Sequence, residues 1–149
     1  MRLSVVIPCF NERRTVETVV DRVRAVDLGP VELEIVLVDD GSTDGTAALL
    51  AALAERHDDV RAVFQGVNQG KGAALARGFR EATGDAFLVQ DGDLEYSPSD
   101  YPALLAPLLA GDADVVYGSR YLAKKWTRAR AWHRAGNQAL TLYSNALSR

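Results

Sequence analysis

Three carboxylates follow a short apolar run in Val89-Gln90-Asp91-Gly92-Asp93-Leu94-Glu95-Tyr96, and acids at that spacing can hold a divalent cation. The residues before them, Asp85-Ala86-Phe87-Leu88-Val89, read as a buried strand. Asp91 and Asp93 then emerge at its carboxyl end, where open α/β sheets place ligands. Side chains alternate along extended chain, which turns both aspartates the same way. Hard oxygen ligands suit Mg²⁺ or Mn²⁺ shared with substrate phosphates, because such ions keep open coordination positions. A plain turn is the competing reading, since Asp-Gly is a good turn dipeptide and solvated carboxylates need no metal.

Elements must position these acids, and three apolar runs supply them. Leu3-Ser4-Val5-Val6-Ile7-Pro8-Cys9-Phe10-Asn11-Glu12 reads as a strand that stops at a proline and meets an acidic helix start. Leu33 to Val38 reads as a second strand, ending in Asp39-Asp40-Gly41-Ser42-Thr43-Asp44. Each run, like the one before Asp91, ends in a polar loop bearing acids, the pattern of a parallel sheet with one functional edge. Arg13 to Val26 puts Val16, Val19, Val20 and Val23 on one helical face. Thr43-Asp44 is placed to cap an alanine and leucine helix running through Ala54. Val60 to Phe64 reads as a third strand, Lys71 to Ala82 and Tyr101 to Leu109 as helices, and Ala113 to Tyr117 as a further strand. Right-handed crossovers then predict an α/β three-layer sandwich, a mostly parallel sheet with helices on both faces.

Asn68-Gln69-Gly70-Lys71-Gly72 lacks the spacing of a P-loop or a dinucleotide fingerprint. Its glycines permit close backbone approach, and a lysine at a helix start either meets a phosphate or sits in solvent. The single cysteine, Cys9, has no internal disulfide partner and reads as a small buried filler at a strand end. His57 reads as a surface residue, and His133 is too isolated for a zinc site.

The chain has 149 residues, 48% of them hydrophobic, which suits one domain able to bury a core. Its apolar runs fall short of the roughly 18 residues of a membrane span, and it opens on a strand, so a cytoplasmic chain is expected. The net charge of −3 conceals a split: residues 1–114 sum to −10 and residues 115–149 to +7. In the basic part Arg120, Lys124, Lys125, Arg128, Arg130 and Arg134 alternate with Tyr121, Trp126 and Trp132. Such a segment suits weak peripheral contact with an anionic membrane face or a lipid phosphate. Single-stranded RNA and a solvated loop are the competing readings.

Five motifs in order resemble a known family: Val6-Ile7-Pro8 with Phe10-Asn11-Glu12; Val38-Asp39-Asp40-Gly41-Ser42; Asn68-Gln69-Gly70-Lys71-Gly72; Gln90-Asp91-Gly92-Asp93-Leu94-Glu95-Tyr96; and Tyr117-Gly118-Ser119-Arg120. The chain resembles the amino-terminal part of an inverting family 2 glycosyltransferase of the A-type nucleotide-sugar fold, nearest polyprenyl-phosphate (dolichyl-phosphate) mannose synthase. Gly92 departs from it, since the subgroup usually has alanine between the two aspartates. So does the ending at Arg149, because relatives continue into acceptor-side segments that a catalytic domain of residues 1–149 would lack.

The resemblance implies a nucleotide-sugar pocket formed by Pro8, Phe10, Glu12, Val38, Asp39 and Asp40, with Lys71 near the donor, Gly92 within the site and Arg120 on the donor diphosphate. It implies Mg²⁺ or Mn²⁺ on Asp91, Asp93 and Glu95, with Asp91, Asp93 and Arg120 as the catalytic set. The implied reaction moves mannose or glucose from a nucleotide sugar, GDP-mannose or else a UDP-glucose type, to a polyprenyl phosphate. No nucleic acid is expected as a partner. A nucleotidyltransferase is the alternative enzyme, and a truncated, noncatalytic nucleotide-binding or lipid-docking module the alternative outside catalysis.

Overall fold

The computed structural model describes residues 1–118. Four strands, β1 (Arg2–Cys9), β2 (Glu32–Asp39), β3 (Val60–Phe64) and β4 (Ala86–Val89), form one parallel sheet in the order β3-β2-β1-β4. Between them run α1 (Val16–Arg24), α2 (Thr46–Arg56) and α3 (Lys71–Glu81). A 3₁₀ turn, Pro98–Asp100, leads into α4 (Tyr101–Leu109). Arg120, the basic and aromatic residues from Tyr121 onward, His133 and the Leu140 to Leu147 segment lie outside the described residues. Among the described residues no helix is long and apolar enough to cross a membrane.

Alternation along the central strands builds two cores. Leu3, Val5, Ile7 and Cys9 of β1 and Ile35 and Leu37 of β2 face one way, against Val16, Val19, Val20 and Val23 of α1, Leu50 and Leu53 of α2, and Tyr101 and Leu105 of α4. Val6, Val36 and Val38 face the other way, with Val63 and Ala74. α3 lies close on that face because Gly78 has no Cβ: one placed there would collide with Val6 Cγ1. Three layers result, with α1, α2 and α4 on one face and α3 on the other.

Local departures from expectation have local causes. β1 does not stop at Pro8 but runs one residue further. The Val6 carbonyl accepts from Gln90 N–H (3.1 Å) on the β4 side, and the Cys9 carbonyl accepts from Asp40 N–H (2.9 Å) on the β2 side. Alternation therefore turns the Pro8 nitrogen towards β4, whose ladder with β1 ends at Val6↔Val89, so no donor is missed there. The acid expected to cap α2 does bind its first turn: Asp44 Oδ1 accepts from Thr46 N–H (3.0 Å) and Oγ1 (2.6 Å), although the cap position is Gly45, with φ +93°. Residues 113–117 are not a strand, contrary to the sequence pattern. They have no ladder partner among the described residues, and Val115 (64% exposed) and Tyr117 (88%) stand in solvent.

Glu34 pins the amino-terminal edge of the sheet, far from the carboxyl ends. Its carboxylate accepts from Ser4 Oγ, Thr83 N–H (2.8 Å) and Thr83 Oγ1 (3.0 Å), with Arg61 at 4.0 Å. Burial pushes its pKa up, but these hydrogen bonds and the Arg61 charge outweigh burial and hold it below its ordinary 4.5. A depressed carboxyl contributes stability above its unfolded-state pKa and loses it as pH falls through the folded value. Glu34→Gln should thus be less stable than wild type at neutral pH, and the gap should narrow as pH falls below 4.5 in urea unfolding curves. A gap independent of pH would exclude this linkage.

Candidate functional site

β1 to β2 to β3 steps one way across the sheet, whereas the crossover through α3 returns to place β4 on the far side of β1. The strand order therefore reverses between β1 and β4, and the carboxyl ends flanking such a switch point leave a crevice. A cavity of about 280 Å³ lies there, lined by Pro8, Cys9, Phe10, Glu12, Asp40, Asn68, Gly70, Lys71, Ala74, Asp91, Gly92 and Asp93. Loops after all four strands contribute to it.

The loops after β1 and β2 are stitched together. Asn11 has φ +60°, a conformation that asparagine tolerates better than most residues. Its N–H donates to Ser42 Oγ (3.0 Å) and its Oδ1 accepts from Thr43 N–H (2.8 Å). Asp39 Oδ2 accepts from the Gly41 and Ser42 N–H groups, both at 3.2 Å, while its buried Oδ1 has no partner among the described residues. Gly41, at φ +74°, lies against the loop after β3: a Cβ there would sit 2.5 Å from Asn68 N and 2.6 Å from the Val67 carbonyl carbon.

Asp40 ties that third loop down. It is 3% exposed, and its Oδ1 accepts from Gln65 Nε2 and Gln69 N–H, both at 2.7 Å, while Oδ2 accepts from Gly70 N–H at 2.8 Å. These bonds fix the start of α3 and with it Lys71. Lys71 Nζ reaches across to Asp91 Oδ1 at 2.5 Å.

A buried link from α4 holds the loop after β4. Tyr101 O–H donates to Gln90 Oε1 (2.8 Å), and Gln90 Nε2 donates to the Asp91 carbonyl (3.2 Å). Both side chains are 2% exposed, and burial pushes the Tyr101 phenol well above its usual range, so it stays a donor. Gly92 packs beneath the cavity, and a Cβ there would meet Glu12 Cγ at 3.2 Å, Pro8 O at 3.5 Å and Cys9 Sγ at 3.6 Å. The alanine usual in the resembling subgroup would thus need Glu12 to yield by a few tenths of an ångström. Glu12 is held by Thr15 Oγ1 at 2.7 Å. Burial, then Glu12 and Asp39, push the Cys9 thiol far above the range of a nucleophile, in keeping with a filler.

Pro8, Phe10, Glu12, Asp40, Lys71, Asp91, Gly92 and Asp93 thus meet at one cavity. Val38 and Asp39 lie behind its wall. Alternation sends Val38 into the core under α3, and Asp39 is spent on its own loop. The three expected metal acids do not gather: among the described residues no three His, Cys, Asp or Glu side chains are arranged to hold a metal ion by themselves. Asp93 Oδ1 accepts from Glu95 N–H (3.0 Å), and the exposed Glu95 is not among the residues lining the cavity. Asp91 and Asp93 remain on the wall, and neither Oδ2 accepts a hydrogen bond from a described residue. Two such carboxylates fit a hard ion that fills its other positions from a ligand. Sequence reading missed Gln65, Gln90 and Tyr101, because their roles depend on contacts made across the fold.

Residues 4–147 match the glycosyl transferase family 2 domain. The chain belongs to that family. A dolichol-phosphate mannosyltransferase of Pyrococcus furiosus is 37% identical over 122 residues, covering 82% of this chain and 34% of the relative. Among solved structures, a mannosyltransferase of Pyrobaculum calidifontis in complex with GDP-Man and Mn²⁺ superposes with a TM-score of 0.62 at 31% identity, covering 72% of this chain and 32% of that one. Glucosyl-3-phosphoglycerate synthase of Mycobacterium tuberculosis, in complex with Mn²⁺, UDP-glucose and phosphoglyceric acid, gives 0.60 at 34% identity, covering 74% and 40%. This family 2 chain has their A-type fold, and it spans about a third of the length of the curated relatives it matches.

Proposed function

We propose that this family 2 chain carries the donor site of a metal-dependent inverting glycosyltransferase that moves mannose or glucose from a nucleotide sugar to a polyprenyl phosphate. The observation that carries the reading is the cavity at the switch point, where the Pro8 to Glu12 loop, Asp40, Lys71 and the Asp91-Gly92-Asp93 turn meet. Pro8, Phe10 and Glu12 offer a wall for base and ribose. Asp91 and Asp93 would hold Mg²⁺ or Mn²⁺ jointly with the donor's phosphate oxygens. The ion, when bound, supplies positive charge where the departing nucleoside diphosphate gathers negative charge. Lys71, and Arg120 beyond the described residues, add cationic contacts to the same diphosphate.

The acceptor class follows from proton bookkeeping. A polyprenyl phosphate arrives ionised and attacks the anomeric carbon from the face opposite the nucleotide, inverting it without a protein base. In the cavity Glu12 is engaged by Thr15, and Asp40 by three donors, which suits an acceptor needing no base. A dolichol-phosphate relative supports this class, and neighbours holding GDP-Man or UDP-glucose support the donor class. The basic, tryptophan-bearing segment would meet the anionic face of the membrane that holds such a lipid.

Product analysis tests the reading. With Mn²⁺, GDP-mannose and a polyprenyl phosphate, the products expected are GDP and a lipid-linked sugar, with UDP-glucose the second donor to try. Pyrophosphate release from a nucleoside triphosphate and a sugar phosphate would instead make the chain a nucleotidyltransferase. Donor binding without either reaction would leave a nucleotide-binding module.

A further inference from the structure

Among the described residues the cavity wall carries four carboxylates, Glu12, Asp40, Asp91 and Asp93, and one cationic side chain, Lys71. Glu12 and Asp40 have hydrogen-bond partners elsewhere in the chain, so Lys71 serves Asp91. The other ion pairs among the described residues, such as Arg24 with Asp59 and Arg56 with Glu17, involve no residue of this wall. The lysine is anchored at its root, while its side chain is largely exposed. Gly70, immediately before it, donates its N–H to Asp40, whereas the Lys71 side chain is 59% exposed against 25% for Asp91.

Resting on the donor-site reading above, we propose that Lys71 is a tethered counter-ion exchanged for the metal. It neutralises Asp91 while the site is empty and passes to the donor diphosphate once a divalent ion takes the aspartates. An ammonium and a divalent cation sharing one carboxylate repel each other strongly, so the ion arriving alone must displace Lys71 into solvent. A nucleoside diphosphate arriving with the ion gives the displaced ammonium a new anion. Metal and nucleotide therefore bind cooperatively, each improving the other's affinity, by linkage through one side chain. No covalent step is involved.

Lys71→Met separates the two roles, because it keeps the length and helix propensity of an exposed side chain and removes only the charge. The readouts are free Mn²⁺ by electron paramagnetic resonance, without nucleotide, and GDP affinity by calorimetry at saturating Mn²⁺. The variant should bind Mn²⁺ alone more tightly than wild type, by about threefold or more, and bind GDP less tightly, by about tenfold. Lys71→Arg, retaining the charge, should keep Mn²⁺ affinity near the wild-type value. Opposite signs for metal and nucleotide are what a merely structural lysine would not produce. Mn²⁺ affinity that is unchanged or weaker in Lys71→Met overturns the exchange while leaving the donor site standing. Mn²⁺ that binds neither protein, even with GDP, overturns the donor-site reading and the exchange with it.

Discussion

Asp91→Ala and Asp93→Ala are each expected to weaken Mn²⁺-dependent GDP binding about a hundredfold or more, roughly 3 kcal/mol, with the fold left intact. Both carboxylates stand on the cavity wall and contribute little to either core. Asp91 gives up an ion pair with a half-exposed lysine, an interaction worth under about 1 kcal/mol to stability. Asp93 gives up one hydrogen bond from Glu95 N–H in an exposed turn. Calorimetric titration of GDP with and without Mn²⁺, beside urea unfolding of each variant, separates site from scaffold. If both variants keep wild-type affinity in Mn²⁺, the aspartates are not the metal's ligands. Glu95→Ala should change binding little, because its side chain lies off the cavity.

Asp40→Ala should behave in the opposite manner, striking the scaffold first. Its buried carboxylate accepts from the Gln65 side chain and from the Gln69 and Gly70 N–H groups, and alanine leaves those donors without an acceptor. Breaking hydrogen bonds to a buried charge costs about 1.5–3 kcal/mol each, discounted where loop motion lets water in. A loss of about 3–5 kcal/mol in urea unfolding is expected, a large fraction of a small domain's stability. The amides of Gln69 and Gly70 should lose hydrogen-exchange protection, and GDP affinity should fall as the root of Lys71 shifts. Asp40→Asn retains one acceptor oxygen and should fall between. Stability of Asp40→Ala within about 0.5 kcal/mol of wild type would show that the loop after β3 is held by something else.

Much of this architecture is readable from residue order because its signals are periodic. The four valines of α1 fall on one helical face, and all four are buried. Val60–Phe64 and Tyr101–Leu109 begin and end where their apolar runs do. What escaped the sequence depends on contacts between distant residues. Asp39 binds the N–H groups of its own turn, whereas the hold of adjacent Asp40 on the loop before α3 is a contact that residue order does not show. Glu95 looks like a third ligand in sequence, yet it is not among the residues lining the cavity. Gln90 and Tyr101 read as strand end and helix core, and only their 2.8 Å contact makes them the support of the acidic loop. The strand pattern at residues 113–117 shows the reverse limit, since an apolar run forms no strand where it finds no ladder partner, and none exists for it among the described residues.

The location of the metal and nucleotide is the claim on which the rest depends, and paramagnetic NMR reads it directly. Adding a small fraction of Mn²⁺ with saturating GDP to ¹⁵N-labelled protein should broaden the amides nearest the ion. Broadening is expected at Cys9 to Glu12, Gly70 to Ala74 and Asp91 to Asp93, around the cavity between β1 and β4. The amides of Glu34 and Thr83, at the opposite edge of the sheet, should stay sharp. Broadening centred on that opposite edge, or spread evenly over the acidic surface, would contradict the account.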